Sequence, residues 1–277
     1  MTAISDARVL VTGAASGIGW LLSERLARLG AEVILWDINQ TTLKESQEKL
    51  TREGLKAHAY HCDLSDKVSI IEAGKRTRQE VGGVDIVINN AGIVAGKEFL
   101  DLSDEDIEKT FSINTLALFR VTKVWLESME EQGHGHIVTI ASAGGITGTA
   151  KLVDYCSSKF AAVGFDESLR VELKRRNSPV KTTVICPYYI DTGMFEGVKT
   201  RFPRLLPILR PNDVVEKTIN AIRKNKPRVI MPWLVYTSWM AKLMPVSIHD
   251  ALMSYLGINK SMDEFKGRSK EAVNERS

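Results

Sequence analysis

Three side chains that together suit proton transfer at an alcohol lie in the middle of the sequence: Ser142, Tyr155 and Lys159. Tyr155 and Lys159 are four residues apart in YCSSK, which places a phenol and an ammonium on one face of a helix. A tyrosine with its usual pKa near ~10 is a weak base at neutral pH, and a nearby cation favours its phenolate. A serine hydroxyl can hold the substrate oxygen while its charge changes. These residue types predict removal of a hydroxyl proton as a hydride leaves.

Because the spacing Y-x-x-x-K is common, it indicates a catalytic function only if the surrounding elements place these side chains at a binding site. Apolar runs of strand length alternate with stretches of helical period. Strands are predicted at 8–12, 32–36, 56–62, 84–89, 136–142, 181–186 and 228–232. Helices are predicted at about 17–29, 40–53, 66–81, 103–131, 153–176 and 211–225. Strict alternation, with several strands apolar at nearly every position, predicts an α/β fold: a doubly wound seven-stranded parallel sheet with helices on both faces.

No linker or repeat divides the chain, so residues 1–277 are predicted to form a single catalytic domain. Residues 188–210 have no clean period and are long for a connection, which predicts a substrate loop. From about residue 233 the chain continues as an apolar extension. We expect this extension to form a second wall of the site or a partner contact, and its segment 232–245 is too short to cross a bilayer but suits a membrane surface.

Composition limits the class of protein. The net charge of +3 comes from scattered basic residues, which does not favour nucleic-acid binding. Cys62, Cys156 and Cys186 are odd in number and form no C-x-x-C pair, which favours reduced thiols and a cytoplasmic location. The start of the sequence does not resemble a signal peptide. The histidines form no helical H-x-x-x-H pair, so we expect no metal site.

A glycine-rich stretch, TGAASGIG, follows the first predicted strand and leads into a helix. Glycines there allow a tight turn and a close approach to a pyrophosphate, while the helix N-terminus supplies amides. The spacing is G-x-x-x-G-x-G rather than G-x-G-x-x-G, and its place in an alternating chain gives it weight. The predicted phosphate-binding residues are Gly13, Ser16, Gly17, Ile18 and Gly19.

Asp37 ends the second predicted strand, where a carboxylate can accept hydrogen bonds from the ribose hydroxyls of an adenosine. The same carboxylate would repel a 2′-phosphate. Ser16 and Ile38 stand where a basic residue would be needed to bind that phosphate. We therefore predict NAD rather than NADP as the cofactor.

Further residues follow the other strands at the same edge of the sheet, where ligands bind in open α/β folds. The predicted cofactor contacts there are Asp63, Leu64, Asn90, Ala91 and Gly92. Ser142 ends the fifth predicted strand, and Tyr155 and Lys159 begin the helix that follows it. Lys159 would also bind the nicotinamide ribose, and Asn114 would hold a water that links Lys159 to solvent.

These motifs in combination resemble the short-chain dehydrogenase/reductase family. TGAASGIG, NNAG, FSINT with Asn114, Ser142 and YCSSK match over about residues 6–232. The resemblance implies a Rossmann fold, a nicotinamide cofactor and assembly as a homodimer or homotetramer. It also implies a catalytic tetrad of Asn114, Ser142, Tyr155 and Lys159.

The sequence after the sixth strand narrows the resemblance. The family usually has Pro-Gly there, whereas this chain has Pro187-Tyr188. With IDTGMFEG and RFPRLLPIL, this resembles the branch that contains epidermal retinol dehydrogenase and the 17β-hydroxysteroid dehydrogenases of types 11 and 13. The resemblance implies that Pro187, Ile190 and Thr192 contact the cofactor, the last two at the nicotinamide carboxamide.

The leading interpretation is an NAD(H)-dependent oxidoreductase acting on an apolar alcohol of retinoid, steroid or lipid type, with Tyr155 as general acid/base. The alternatives are a carbonyl reductase and, in another class, a non-catalytic Rossmann binding protein. Peripheral contact with membranes or lipid stays open. The apolar residues expected to line the substrate site are Tyr188, Met194, Phe195, Phe202, Leu205 and Leu206. Part of the apolar surface of the helices over 103–131 and 153–176 is expected to form a subunit contact, and that surface includes Leu116, Phe119, Trp125, Phe160, Val163 and Phe165.

Overall fold

Seven parallel strands form the centre of the protein. The computed structural model describes residues 1–267, with all side chains except that of Trp239. The strands are β1 (Arg8–Thr12), β2 (Glu32–Asp37), β3 (Ala57–His61), β4 (Ile86–Asn89), β5 (His136–Ile140), β6 (Lys181–Pro187) and β7 (Arg228–Met231). They form one sheet in the order β3-β2-β1-β4-β5-β6-β7, and every pair is parallel. The predicted doubly wound seven-stranded sheet is therefore confirmed.

The helices lie between successive strands. They are α1 (Gly17–Arg28), α2 (Gln40–Arg52), α3 (Lys67–Glu80), α4 (Asp104–Phe111), α5 (Ala117–Glu131), α6 (Val153–Arg175) and α7 (Pro211–Arg223). Local sequence sets several of their starts. Asp66 accepts hydrogen bonds from the first amides of α3, and Ser103 with Asp106 forms a capping box at α4. Pro211 occupies the first turn of α7, where no amide hydrogen is needed.

Alternate strand residues supply two cores, one on each face of the sheet. Val9 and Val11 face a core that includes helical side chains of α1, α2 and α7. Leu10 faces the opposite core, which includes side chains of α3, α5 and α6. Because both faces are covered, the strands are apolar at consecutive positions. The sheet order reverses direction between β1 and β4, and this places a crevice at their carboxyl ends.

The predicted helix over 103–131 is not one regular helix. A π-helical segment, Ser112–Leu116, separates α4 from α5. A π turn takes more residues than an α turn, so the side chains of the segment change direction, and such turns are frequent at functional sites. The amide of Asn114 is hydrogen-bonded to the backbone of Ile93, and periodicity along the helix contains no sign of that contact.

The segments beyond the alternating units also differ in detail from expectation. Residues 188–210 form a loop, with one isolated parallel bridge between Ile190 and Leu209. After β7 the extension folds into a 3₁₀ turn (Trp233–Tyr236) and two helices, α8 (Thr237–Ala241) and α9 (Val246–Tyr255). The part of the predicted domain at 268–277 lies outside the described residues. No helix within residues 1–267 is long and apolar enough to span a bilayer.

Two residues of the apolar set expected to include a subunit contact are buried within the chain and so are not part of such a contact. Trp125 is fully buried between α5 and the sheet, and Val163 is buried among residues of β6, the loop after β5 and the extension. Both side chains lie on the inward-facing sides of their helices. Leu116, Phe119 and Phe160 are exposed, and Phe165 packs edge-on against Phe119 at 4.7 Å between ring centroids.

Candidate active site

One cavity of about 580 Å³ opens at the carboxyl edge of the sheet, at the reversal point of the strand order. The loops after β1, β2, β3 and β4 form one end of it, and the loop 188–210 with the extension forms the other. Ser142, Tyr155 and Lys159 lie between the two ends. The cavity is also lined by most of the predicted cofactor-binding residues: Gly13, Ser16, Gly17, Ile18, Asp37, Asp63, Leu64, Asn90, Ala91, Gly92, Pro187, Ile190 and Thr192.

The glycine-rich loop leaves room for a ligand at the start of α1. Gly13 and Gly17 have φ values of 63° and 54°, a region that glycine adopts freely. Ser16, the residue before the helix, makes no side-chain bond to it, so the first amides of α1 are open to a ligand. Gly19 does not line the cavity. A Cβ on Gly19 would collide with the Gly13 carbonyl, so this glycine keeps the helix close to the loop.

Asp37 is held firmly at the end of β2. One of its carboxylate oxygens accepts a hydrogen bond from the Ala15 amide and the other accepts one from the Asn39 amide, both at 2.9 Å. The carboxylate still has free lone pairs on the cavity side. Among the described residues that line the cavity, Lys159 is the only lysine or arginine, and it lies at the catalytic centre.

The loops after β3 and β4 are fixed by their own polar side chains. Asp63 lies two residues beyond β3, and its carboxylate accepts bonds from the amide and hydroxyl of Ser65 at 2.8 and 2.7 Å. The Asn90 amide donates to the carbonyls of Thr12 and Gly13 at 2.9 and 3.2 Å. These bonds tie the loop after β4 to the glycine-rich loop. Thr12, which opens the TGAASGIG motif, was not among the predicted site residues.

Ser142, Tyr155 and Lys159 converge as their spacing predicts. Ser142 lies two residues beyond the end of β5, where its hydroxyl accepts a bond from the Gly144 amide at 3.0 Å. A Cβ on Gly144 would stand 3.4 Å from both the Ser142 Oγ and the Tyr155 ring. The Lys159 Nζ donates to the Ile140 carbonyl at 3.0 Å and lies 5.7 Å from the centre of the Tyr155 ring.

Burial dominates the electrostatics of this group. Desolvation raises the pKa of the Tyr155 phenol above its usual value of 10, and hydrogen bonding to Ser142 opposes this rise. Burial lowers the pKa of Lys159 to about 8. From sequence we expected the ammonium to lower the phenol pKa; in the protein chain alone the desolvation of Tyr155 is the larger effect. Lys159 keeps its proton at neutral pH and loses it in mildly alkaline solution.

Asn114 lies behind this group and does not line the cavity. Its side-chain amide donates to the Ile93 carbonyl at 2.9 Å and to the Ser158 hydroxyl at 3.0 Å, while its oxygen accepts from the Ile93 amide at 2.8 Å. A Cβ on Gly92 would lie 3.3 Å from the Asn114 oxygen and 3.4 Å from the Lys159 Nζ. The two polar atoms therefore approach the same spot beside the cavity.

Ser158 is a polar residue that sequence reasoning missed. Its buried hydroxyl donates to the Tyr155 carbonyl at 2.7 Å and accepts from Asn114. The spacing in YCSSK could have indicated this residue, because Ser158 lies three residues after Tyr155 and therefore on the same side of α6. Ser158 thus connects the helix that carries the phenol to the π-helical segment that carries Asn114.

The other end of the cavity is apolar. Of the loop residues predicted to line it, Tyr188, Met194, Phe195 and Leu206 do so. Phe202 and Leu205 do not: the Phe202 ring packs against Tyr255 at 5.7 Å and Leu205 faces outward. The extension supplies a second wall. Lining residues that the sequence did not specify are Tyr189, Thr149, Leu152, Leu252, Met253, Leu256 and Ile258.

Comparison with known proteins places this chain in a family. The family model for short chain dehydrogenases matches residues 7–201. Epidermal retinol dehydrogenase 2 from Homo sapiens is 45% identical over 267 residues, which cover 95% of this chain and 86% of that protein. Retinol dehydrogenase 10-B from Danio rerio is 38% identical, with 96% and 86% of the two chains covered.

Two solved structures share the architecture. A short-chain dehydrogenase/reductase from Burkholderia phymatum, in complex with NAD, superimposes with a TM-score of 0.77 at 24% identity and covers 88% of this chain and 93% of its own. An alcohol dehydrogenase from Thermococcus sibiricus, complexed with 5-hydroxy-NADP, gives a TM-score of 0.72 at 26% identity and covers 81% and 95%. The chain therefore belongs to the short-chain dehydrogenase/reductase family of oxidoreductases.

Proposed function

We propose that this protein transfers a hydride between NAD(H) and an apolar alcohol or carbonyl compound, with Tyr155 as general acid/base. The observation that carries the proposal is the continuity of the cavity. It runs from the Asp37 carboxylate, past Tyr155, to an apolar wall formed by the loop 188–210 and the extension. A dinucleotide and an apolar substrate would meet at the phenol.

The residues fit a nicotinamide dinucleotide. The glycine-rich loop and the open amides of α1 suit a pyrophosphate, and the fixed Asp37 carboxylate suits the ribose hydroxyls. When bound, the nicotinamide would accept or return the hydride. Because the only cation among the described cavity residues, Lys159, lies at the catalytic centre, a 2′-phosphate beside Asp37 would meet repulsion without compensation. This supports NAD as the partner of the reaction.

The four central residues would divide the proton chemistry. Tyr155 would take the hydroxyl proton during oxidation and return it during reduction, and Ser142 would hold the reacting oxygen. Lys159 carries its charge at neutral pH and would stabilise the phenolate. Asn114, tied to Ile93 and Ser158, would hold the backbone that surrounds Lys159. The low exposure of Tyr155 keeps bulk water from the transfer.

The apolar wall supports a retinoid-, steroid- or lipid-like substrate. A pocket with many apolar and few polar contacts binds long or fused-ring molecules better than sugars or amino acids. The names of the similar relatives, retinol dehydrogenases, agree with that class. We also propose a cytoplasmic homodimer or homotetramer with peripheral contact to membranes.

The test is a rate series with NAD and linear secondary alcohols, followed by the absorbance of the reduced cofactor. Catalytic efficiency should rise with chain length, since each buried methylene contributes about 0.8 kcal/mol, or roughly fourfold. Tyr155→Phe keeps the ring and should abolish turnover. A flat series, or a preference for polyhydroxylated substrates, would refute the apolar substrate class. Equal activity of Tyr155→Phe would refute the role of the phenol.

A further inference from the structure

An apolar tip projects between α8 and α9. We use this name for residues 242–248, KLMPVSI, all seven of which are exposed. Leu243 is 88% exposed and Val246 is 75% exposed, and Met244, Pro245 and Ile248 accompany them. Single exposed apolar residues are ordinary, but a contiguous group marks an interaction site.

The apolar tip is almost free of charge. Between Arg228 and Asp250 the sequence contains one lysine, Lys242, and no arginine, aspartate or glutamate. The Lys242 Nζ lies 4.5 Å from the centre of the Phe160 ring. At the far end of α9, Arg201 lies 5.1 Å from the centre of the Tyr255 ring and donates to the Tyr255 carbonyl. One cation therefore belongs to the tip and a second lies at the other end of α9.

Exposed aromatic residues lie on the elements next to the tip. Trp233 is 74% exposed in the turn before α8, as is Tyr236, whose hydroxyl accepts a hydrogen bond from the Ile230 amide at 3.2 Å. Tyr255 is exposed at the end of α9. Tryptophan and tyrosine favour the boundary between lipid headgroups and acyl chains, because their rings are apolar and their polar groups remain hydrated. Exposed tryptophan and tyrosine on the elements before and after the tip are the residue types expected beside a membrane surface.

The tip is continuous with the mouth of the substrate cavity. Met240 is 71% exposed and also lines the cavity, and Met244 does the same. Val235 of the 3₁₀ turn, Ala241 of α8 and Met253 of α9 are buried and line the cavity wall or the core beneath it. Both sides of this small helical unit are thus apolar, one toward the cavity and one toward the exterior.

We propose that the apolar tip inserts into a lipid bilayer surface and directs the cavity mouth toward the acyl chains, so that an apolar alcohol enters from the lipid. Docking rests on the tip itself, while entry of the alcohol rests on the proposed function. A lipid surface fits better than a second copy of the chain, because a rigid partner on Met240 and Met244 would close the mouth. Lys242 and Arg201 suit anionic headgroups.

Vesicle flotation tests the docking. The full-length protein is mixed with vesicles of phosphatidylcholine containing some phosphatidylserine, and the floated fraction is measured. The test variant is Leu243→Glu/Val246→Glu, and the matched control is Leu100→Glu, which changes a leucine that is 94% exposed elsewhere. The wild type and the control should float. The test variant should partition at least roughly tenfold less, with unchanged circular dichroism.

Three results would overturn the docking. The wild type fails to float, the test variant floats equally well, or the control loses as much as the test variant. Light scattering of the same samples tests the alternative that the tip binds a second copy of the chain. If Leu243→Glu/Val246→Glu dissociates an oligomer and the wild type does not bind vesicles, the tip is a subunit contact.

Turnover then tests the entry route. A long-chain alcohol dissolved in the vesicles is compared with a short, water-soluble alcohol, each with NAD. The test variant should lose at least roughly tenfold in rate with the vesicle-dissolved alcohol and retain its rate with the soluble one. If Leu243→Glu/Val246→Glu changes the rate with both alcohols by the same factor relative to the wild type, lipid entry is overturned. If the wild type oxidises neither alcohol, the proposed function fails, while flotation still decides the docking.

Discussion

The ring of Phe195 stands edge-on to the ring of Tyr155, with 5.6 Å between centroids and 81° between planes. Phe195 belongs to the loop 188–210, and it also contacts Tyr189 at 5.1 Å and Phe265 at 6.4 Å. The loop that shapes the substrate site therefore also covers the phenol. Because burial raises the pKa of Tyr155, the acidity of that phenol depends on the position of Phe195.

Phe195→Ala should lower the pKa of Tyr155 toward its ordinary value, because water would reach the phenol. During alcohol oxidation the phenolate is the base, so the rise of kcat with pH should shift to lower pH. The KM for an apolar alcohol should increase by roughly tenfold through lost apolar contact. The measurement is the pH profile of kcat and of kcat/KM with NAD in excess. Phe202→Ala, which changes a ring outside the cavity, is the control, and an unshifted or alkaline-shifted profile for Phe195→Ala would contradict this prediction.

Asp37 should determine the choice between NAD and NADP. Asp37→Asn removes the charge and keeps an oxygen for the Ala15 or Asn39 amide, whereas Asp37→Ala removes both. Asp37→Asn should mainly improve catalytic efficiency with NADP. Asp37→Ala should also weaken NAD by about 1.5–3 kcal/mol, or roughly ten- to a hundredfold, through lost hydrogen bonds to the ribose. Initial rates with both cofactors measure this, and equal efficiency of the wild type with NADP would rule out the assignment.

The cofactor end of the site was predictable because its signals are local. Strand–helix alternation gives the order of the elements, glycine permits the turn at Gly13, and helical spacing brings Tyr155 next to Lys159. The strand ends were less accurate, since Ser142 and Asp63 lie two residues beyond their strands. Backbone pairing stops earlier than the apolar pattern does.

The substrate end was less predictable because contacts between distant parts of the chain set its shape. Segment 257–267 packs over the loop: the Lys266 amide donates to the Glu196 carbonyl at 2.9 Å, and the Lys199 amide donates to the Ser261 carbonyl at 3.1 Å. Tyr189 enters the wall while its hydroxyl bonds Ser261 at 2.8 Å. No periodicity within the loop distinguishes Tyr189 from Phe202, since tertiary packing decides which ring faces the cavity.

The exposed apolar residues Leu116, Phe119 and Phe160 should form a subunit contact. Light scattering at micromolar protein should give a dimer or a tetramer for the wild type, because covering these side chains removes apolar surface from water. Phe119→Glu places a charge in that contact and should reduce the apparent mass. Leu100→Glu adds the same charge elsewhere and should leave the mass unchanged. A monomeric wild type, or equal masses for the wild type and Phe119→Glu, would contradict this prediction.

Lys159 should cost the protein stability at neutral pH, as expected for a functional charge held in a buried place. The pKa of Lys159 is about 8 in the folded chain against 10.5 for an ordinary lysine. Below pH 8 both states carry the charge, and its burial costs about 3 kcal/mol at about 1.36 kcal/mol per pKa unit. Between the two pKa values the unfolded chain binds more protons, so stability rises with pH. Above 10.5 the cost is gone.

Lys159→Met should therefore be more stable than the wild type at pH 7, although it is inactive. Loss of the charge-assisted bond to the Ile140 carbonyl subtracts about 2 kcal/mol, which leaves a gain of about 1 kcal/mol. Urea unfolding at a series of pH values should show the gain shrinking as pH rises from 8 to 10.5. Lys217→Met, on the exposed side of α7, is the control and should give a difference that does not change over that range. If Lys159→Met is less stable at pH 7, or its difference is independent of pH, the charge of Lys159 is not buried at a cost.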